Sequence, residues 1–157
     1  MQFSRRSEPL RLIATRLGLP VVETIMRAAT VNEALRITVY YHDERAPDSV
    51  ATLKRGHGSA CQLEVVYDKS PRRAMLHYDI PVERYRKLLG ALRRAKFDRL
   101  DDEEDLPYTG VDWWLIERAA GSFYHDIALC PTSARGHHRE VVLALREHLS
   151  EAVHQGV

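Results

Sequence analysis

The stretch YTGVDWWLIERAAGSFYHDIALC, residues 108–130, decides how this chain folds. Val111, Trp113 and Leu115 alternate with Asp112, Trp114 and Ile116. The small residues Ala119, Ala120, Gly121 and Ser122 follow, and then Phe123, His125, Ile127 and Leu129 alternate with Tyr124, Asp126, Ala128 and Cys130. Two β-prone runs joined by a Gly-containing turn predict a β-hairpin. Successive side chains of a strand point to opposite faces, so the adjacent Trp113 and Trp114 fall on opposite sides of the sheet. Trp113 and Leu115 make one face apolar, and Trp114 and Ile116 the other. One face enters a core; the other needs a second cover, from this chain or from a partner.

Outward from the hairpin, the period of two recurs. Leu35, Ile37, Val39 and Tyr41 alternate with polar neighbours, as do Cys61, Leu63, Val65 and Tyr67. A short run at Val50–Lys54 and another at Leu76, Tyr78 and Ile80 complete the strand signals, separated by turn residues around Pro47, Gly56–Ser59 and Pro71. Pro81 opens the clearest helix, with Tyr85, Leu88, Leu89, Leu92 and Ala95 as its apolar stripe. A last helix from about His137 to Val153 carries Val142, Leu145, Leu149 and Ala152 at helical spacing. At the N-terminus, Ser7, Glu8 and Pro9 start a helix bearing Leu10, Ile13, Ala14 and Leu17; Gly18 closes it, and Pro20 opens a second with Val22, Ile25 and Met26. The order predicts an α+β fold: an antiparallel sheet of about five to six strands packed by two helices, with an N-terminal helical arm. The arm spans residues 1–30 and the sheet domain residues 31–157.

A chain of 157 residues is the size of one domain and buries a core without staples. A net charge of +1 exerts no global pull on nucleic acid or acidic lipid. Two cysteines, Cys61 and Cys130, are too few for a disulfide scaffold and read as buried thiols. No apolar run is long enough to span a bilayer, and Arg11, Arg16 and Glu23 break the apolar stretch that follows Arg5 and Arg6, so no membrane contact and a cytoplasmic location are expected.

Ile13, Ala14, Leu17, Gly18, Leu19 and Pro20 resemble the first helix and turn of a helix-turn-helix DNA-binding unit, although the expected apolar residue falls at Ile25, one position late, with Thr24 in its place. That resemblance implies nucleic-acid contacts through Arg11, Arg16 and Arg27, since residues 1–36 hold six arginines against three glutamates. The helix after Pro81 is basic too, with Arg84, Arg86, Lys87, Arg93, Arg94 and Lys96, and the five acids Asp101–Asp105 beside it are expected to neutralise that face. A third class of reading is a small enzyme. His125, His137 and His138, near Asp126 and Glu140, suggest a metal, and Cys130 before the last helix suggests a nucleophile. Neither has convincing spacing: His137 and His138 are neighbours, and His125 lies on the opposite strand face from Cys130 and Asp126. No phosphate loop, nucleophile elbow or paired C-x-x-C occurs. The leading expectation is a non-enzymatic protein-interaction domain with no cofactor, no metal and no catalytic residue, such as a regulator, adaptor or immunity-type binder. It engages a protein partner or a second copy through Trp113, Trp114, Ile116 and Tyr124.

Overall fold

Each period-two run becomes a strand, and the two helical stripes become the cover of one face. The computed structural model describes residues 7–58, 61–69, 75–104 and 109–153. Arg5, Arg6, Pro71, Asp105, Pro107 and Tyr108, on which parts of the sequence reading rest, lie outside the described residues. The arm contains α1 (Glu8–Arg16) and α2 (Val22–Met26). The sheet follows with β1 (Val31–Tyr40), β2 (Ser49–Gly56), β3 (Cys61–Tyr67) and β4 (Met75–Asp79). Then come α3 (Val82–Arg94), a 3₁₀ turn at Phe97–Arg99, the hairpin β5 (Trp113–Ala120) and β6 (Phe123–Leu129), and α4 (Gly136–His148).

The strands form one antiparallel sheet in the order β4-β3-β2-β1-β5-β6. The first four strands meander outward from β1, and α3 then carries the chain back to β5, which pairs with the other side of β1. The hairpin turn is tighter than the four small residues suggest. Ala119 and Ala120 stay in β5, Ala120 pairs with Phe123, and the loop is Gly121-Ser122 alone. Gly121 takes φ +59°, the left-handed value that the first position of a type II′ turn requires.

The main core lies between the sheet and the pair α3/α4. Leu35, Ile37 and Val39 of β1, Leu53 of β2, Leu63 and Val65 of β3, and Trp114 and Ile116 of β5 meet Tyr85, Leu88 and Leu92 of α3 and Val142 and Leu145 of α4. Leu89 of the predicted stripe is only half-buried, because it stands at the rim of that contact. α4 ends at His148, yet Leu149, which caps it, and Ala152, in the 3₁₀ turn Ser150–Ala152 that follows, remain buried.

The other face is covered by the arm. Leu10, Ile13 and Ala14 of α1 pack on Val50, Trp113, Leu115, Ala128 and Cys130, and Val22 of α2 meets Ala34 and Ala119. The second cover that the Trp strand needs is thus supplied by the same chain: Trp113 is 6% exposed and Trp114 3%. Cys61 and Cys130 are buried free thiols. Among the described residues no helix is long and apolar enough to cross a membrane.

Candidate functional site

Beneath the arm the sheet carries a polar row that the helix-facing side lacks. Register aligns Asp126 of β6, Glu117 of β5, Arg36 of β1, Thr52 of β2, Glu64 of β3 and His77 of β4 as direct cross-strand neighbours. α1 lowers Arg11 onto one end of this row. Its guanidinium donates to Glu117 at 2.5 Å, to Asp126 at 2.6 Å and to the Tyr124 hydroxyl, which donates in turn to Glu117 at 2.7 Å. Burial pulls the Arg11 pKa down, but Glu117, Tyr124 and Asp126 together outweigh it and leave it raised. Burial and the Glu117 charge push the Tyr124 phenol far above its ordinary value, so it stays a neutral donor. Arg36 is nearly sealed; its Nε donates to Thr52 Oγ1 at 3.0 Å and its Nη1 to the Pro20 carbonyl at 2.7 Å, which ties the link between α1 and α2 to the sheet. Burial lowers its pKa, against the attraction of Glu117.

These contacts relocate the residues that the sequence singles out. Trp113 and Trp114 are buried, and Ile116 is 0% exposed, so none of the three presents a surface to a partner in the folded chain; α1 covers one face and α3/α4 the other. Tyr124 is half-buried and held in the Arg11 cluster. Arg11 turns inward. Arg16 pairs with Asp68 at 2.5 Å, and only Arg27 is exposed without an ion-pair partner among the described residues. The three arginines do not share one basic face: positions 11 and 16 lie about 140° apart around α1. α2 has five residues, about a turn and a half, which is short for an element laid along a groove. Two residues from rival readings, Arg11 and Tyr124, are brought together, as parts of the clasp that docks the arm.

The acidic run also has a different position from the one its composition suggests. Asp102 accepts the backbone N–H of Ala128 at 2.8 Å, Glu103 accepts that of Cys130 at 2.8 Å, and the Glu103 N–H donates to the Ala128 carbonyl at 2.9 Å. His125 meets the Leu100 carbonyl at 2.6 Å and His138 the Asp101 carbonyl at 2.8 Å. The loop therefore caps the C-terminal half of the β6 edge, a standard way of keeping an edge from pairing. Asp102 and Glu103 thus act on the backbone of β6 as well as carrying charge beside Arg99.

Among the described residues, no strand or loop pairs with the opposite edge. Ile80 N–H donates to Cys61 O. Antiparallel alternation then turns the N–H and C=O groups of Met75, His77 and Asp79 away from β3, to the free side of β4. No backbone partner for them is found among the described residues. Two large apolar side chains flank this edge exposed, Met75 at 38% and Leu76 at 41%. The signal in the sequence was the short run after Pro71; its place at an edge was not visible there.

Near the end of β1, His42, Asp43 and Asp112 bring ligand atoms within 4.8 Å of one another. A cation already occupies the centre: Arg45 donates to Asp43 at 2.8 Å and to both oxygens of Asp112. The donor set is thus an ion-pair network rather than a vacant metal cage. Burial raises the Asp112 pKa, but hydrogen bonds from Arg45 and His42 and the Arg45 charge together bring it below the ordinary range. Hydrogen bonds from Arg84 do the same for Glu151, whose Oε2 accepts Arg84 Nη1 at 2.8 Å. A carboxyl whose folded pKa is depressed stabilises above its unfolded value, near 4, and loses that contribution as pH falls through the folded value. Burial displaces Asp48 the other way, so part of the trend is offset. Urea midpoints are expected to fall as pH drops below about 4, and more shallowly for Asp112→Asn. An equal slope in the two proteins would remove Asp112 from the account.

No family model matches the chain, and no curated protein matches it.

Proposed function

We propose that this chain is a non-enzymatic protein-binding module that accepts an extended segment of its partner as an additional strand beside β4. The supporting observation is the contrast between the two sheet edges: carboxylates cap β6, while β4 offers the outward N–H and C=O groups of Met75, His77 and Asp79. In strand addition the main chain supplies affinity, and alternate side chains supply selectivity. Here Leu76 and Tyr78 on one side of β4, and Met75 on the other, are the apolar contacts for the incoming strand. The reading moves the binding surface away from the buried tryptophans, whose part is to fix the arm and the core.

Proline tests this directly. His77 directs its N–H outward, so His77→Pro removes a donor that no other strand of the sheet uses, and proline is tolerated at such edge positions. The expected result is an intact fold that no longer retains the partner, while His77→Ala retains it. Equal retention by the proline variant would exclude strand addition at β4.

A further inference from the structure

We infer that the cleft between the end of α3, the 3₁₀ turn and β5 is a second binding site, which takes an acidic, extended protein segment anchored by an apolar side chain. Its floor is apolar: Leu92 and Phe97 are buried, and Leu89 is half-buried. The cavity has a volume of about 230 Å³. A dry cavity of about 150 Å³ holds a benzene ring, so this one takes a single aromatic or branched aliphatic side chain, and it is below the size usual for cofactors.

The rim carries four cations, Arg93, Lys96, Arg99 and Arg118, against one lining carboxylate, Asp98. Arg93, Lys96 and Arg99 are exposed and have no ion-pair partner among the described residues. Arg93 and Lys96 close to the end of α3 also suit its dipole, which explains their sign but not the apolar floor they enclose. Arg118 closes the cleft from β5. Asp98 holds its Nη1 with two contacts of 3.0 Å and Glu33 its Nε at 2.9 Å, while its Nη2 has no acceptor among the described residues. Of the acids that follow in sequence, Asp102 and Glu103 accept backbone N–H groups of the β6 edge, and Arg99 stands between them and the cleft.

The apolar surface continues past the cavity. Phe97 meets His125 edge-on at 5.6 Å, His125 lies 6.5 Å from Phe123, and Phe123 is 40% exposed. A segment that places one apolar residue in the cavity can rest a second on Phe123, with its own carboxylates over Arg93, Lys96 and Arg99. Charge complementarity selects an acidic segment. A nucleic-acid strand fits less well, because the cations surround an apolar hole rather than form a track.

Fluorescence anisotropy of the full chain tests the site. The probe is a fluorescein-labelled peptide with a central Phe-Leu pair flanked by Asp and Glu. Binding is expected to weaken with salt and to fall at least about tenfold in Arg93→Glu/Arg99→Glu, whose exposed positions leave the fold intact by circular dichroism. It is expected to fall similarly when the Phe-Leu pair of the probe becomes Ser-Ser. The Pro variant at His77 is expected to bind this probe as the native chain does, which separates the cleft from the β4 edge. Absence of binding at about 100 μM probe, equal binding by the Ser-Ser peptide, or equal binding by the charge-reversed protein would each overturn the inference. So would complete displacement of the probe by single-stranded oligonucleotide at equal concentration, which would assign the rim to phosphate.

Discussion

Replacing Glu117 with leucine is expected to destabilise the chain by about 3–5 kcal/mol, because it leaves Arg11 with Asp126 as its one remaining carboxylate and takes away the negative charge nearest the buried Arg36. Glu117 is 3% exposed and accepts from both Arg11 and Tyr124, and it stands opposite the sealed Arg36. Leucine fills the volume but removes one of the two carboxylates on Arg11 and the charge that counters the desolvation of Arg36. The measurement is urea unfolding at neutral pH beside the native chain. A second readout is local: α1 is tied to the sheet through Arg11, so loosening it wets Trp113 and shifts its emission to the red. A loss under about 1 kcal/mol with unchanged emission would mean that the polar row does not hold the arm.

Trp114→Ala is expected to cost about 3–5 kcal/mol by opening a cavity in the main core. Trp114 packs among the helix-facing residues of β1, β5 and β6, and the Arg146 guanidinium lies over its ring at 5.6 Å. Trp113, one residue away, touches α1 instead, so its emission should stay blue in the Trp114 variant wherever that variant is folded. Equilibrium denaturation and the emission of the single remaining tryptophan check both statements. A cost below about 1.5 kcal/mol would mean that Trp114 does not fill the core between the sheet and α3/α4.

The strands and helices were readable because their period is local. Trp113 and Trp114 had to face opposite ways, and Tyr85, Leu88 and Leu92 had to share one face of α3, whatever else the chain did. What covers Trp113 was not readable. Leu10 and Ile13 announce an apolar stripe, but a stripe does not name the surface it meets, and cover from a partner would need the same residues. Arg11 shows the same limit. Its charge suggested solvent or phosphate, whereas its place beside Leu10 on a helix that lies flat on the sheet turns it toward Glu117 and Asp126, more than a hundred residues away.

The place of the acidic run was not legible for a related reason. Composition gives its charge, but Asp102 and Glu103 act on backbone N–H groups 26 and 27 residues away, and strand order decides that those groups lie at an edge. Strand order likewise puts β4 at the other edge of the sheet. Nothing in Met75–Asp79 distinguishes it from an inner strand except its brevity.

The most direct test of strand addition at β4 is a quantitative capture from native lysate with three full-length baits: the native chain, His77→Ala and His77→Pro. The account predicts a near-stoichiometric protein that is retained by the first two baits and lost from the third, with all three folded by circular dichroism. Retention of the same protein by His77→Pro would contradict it.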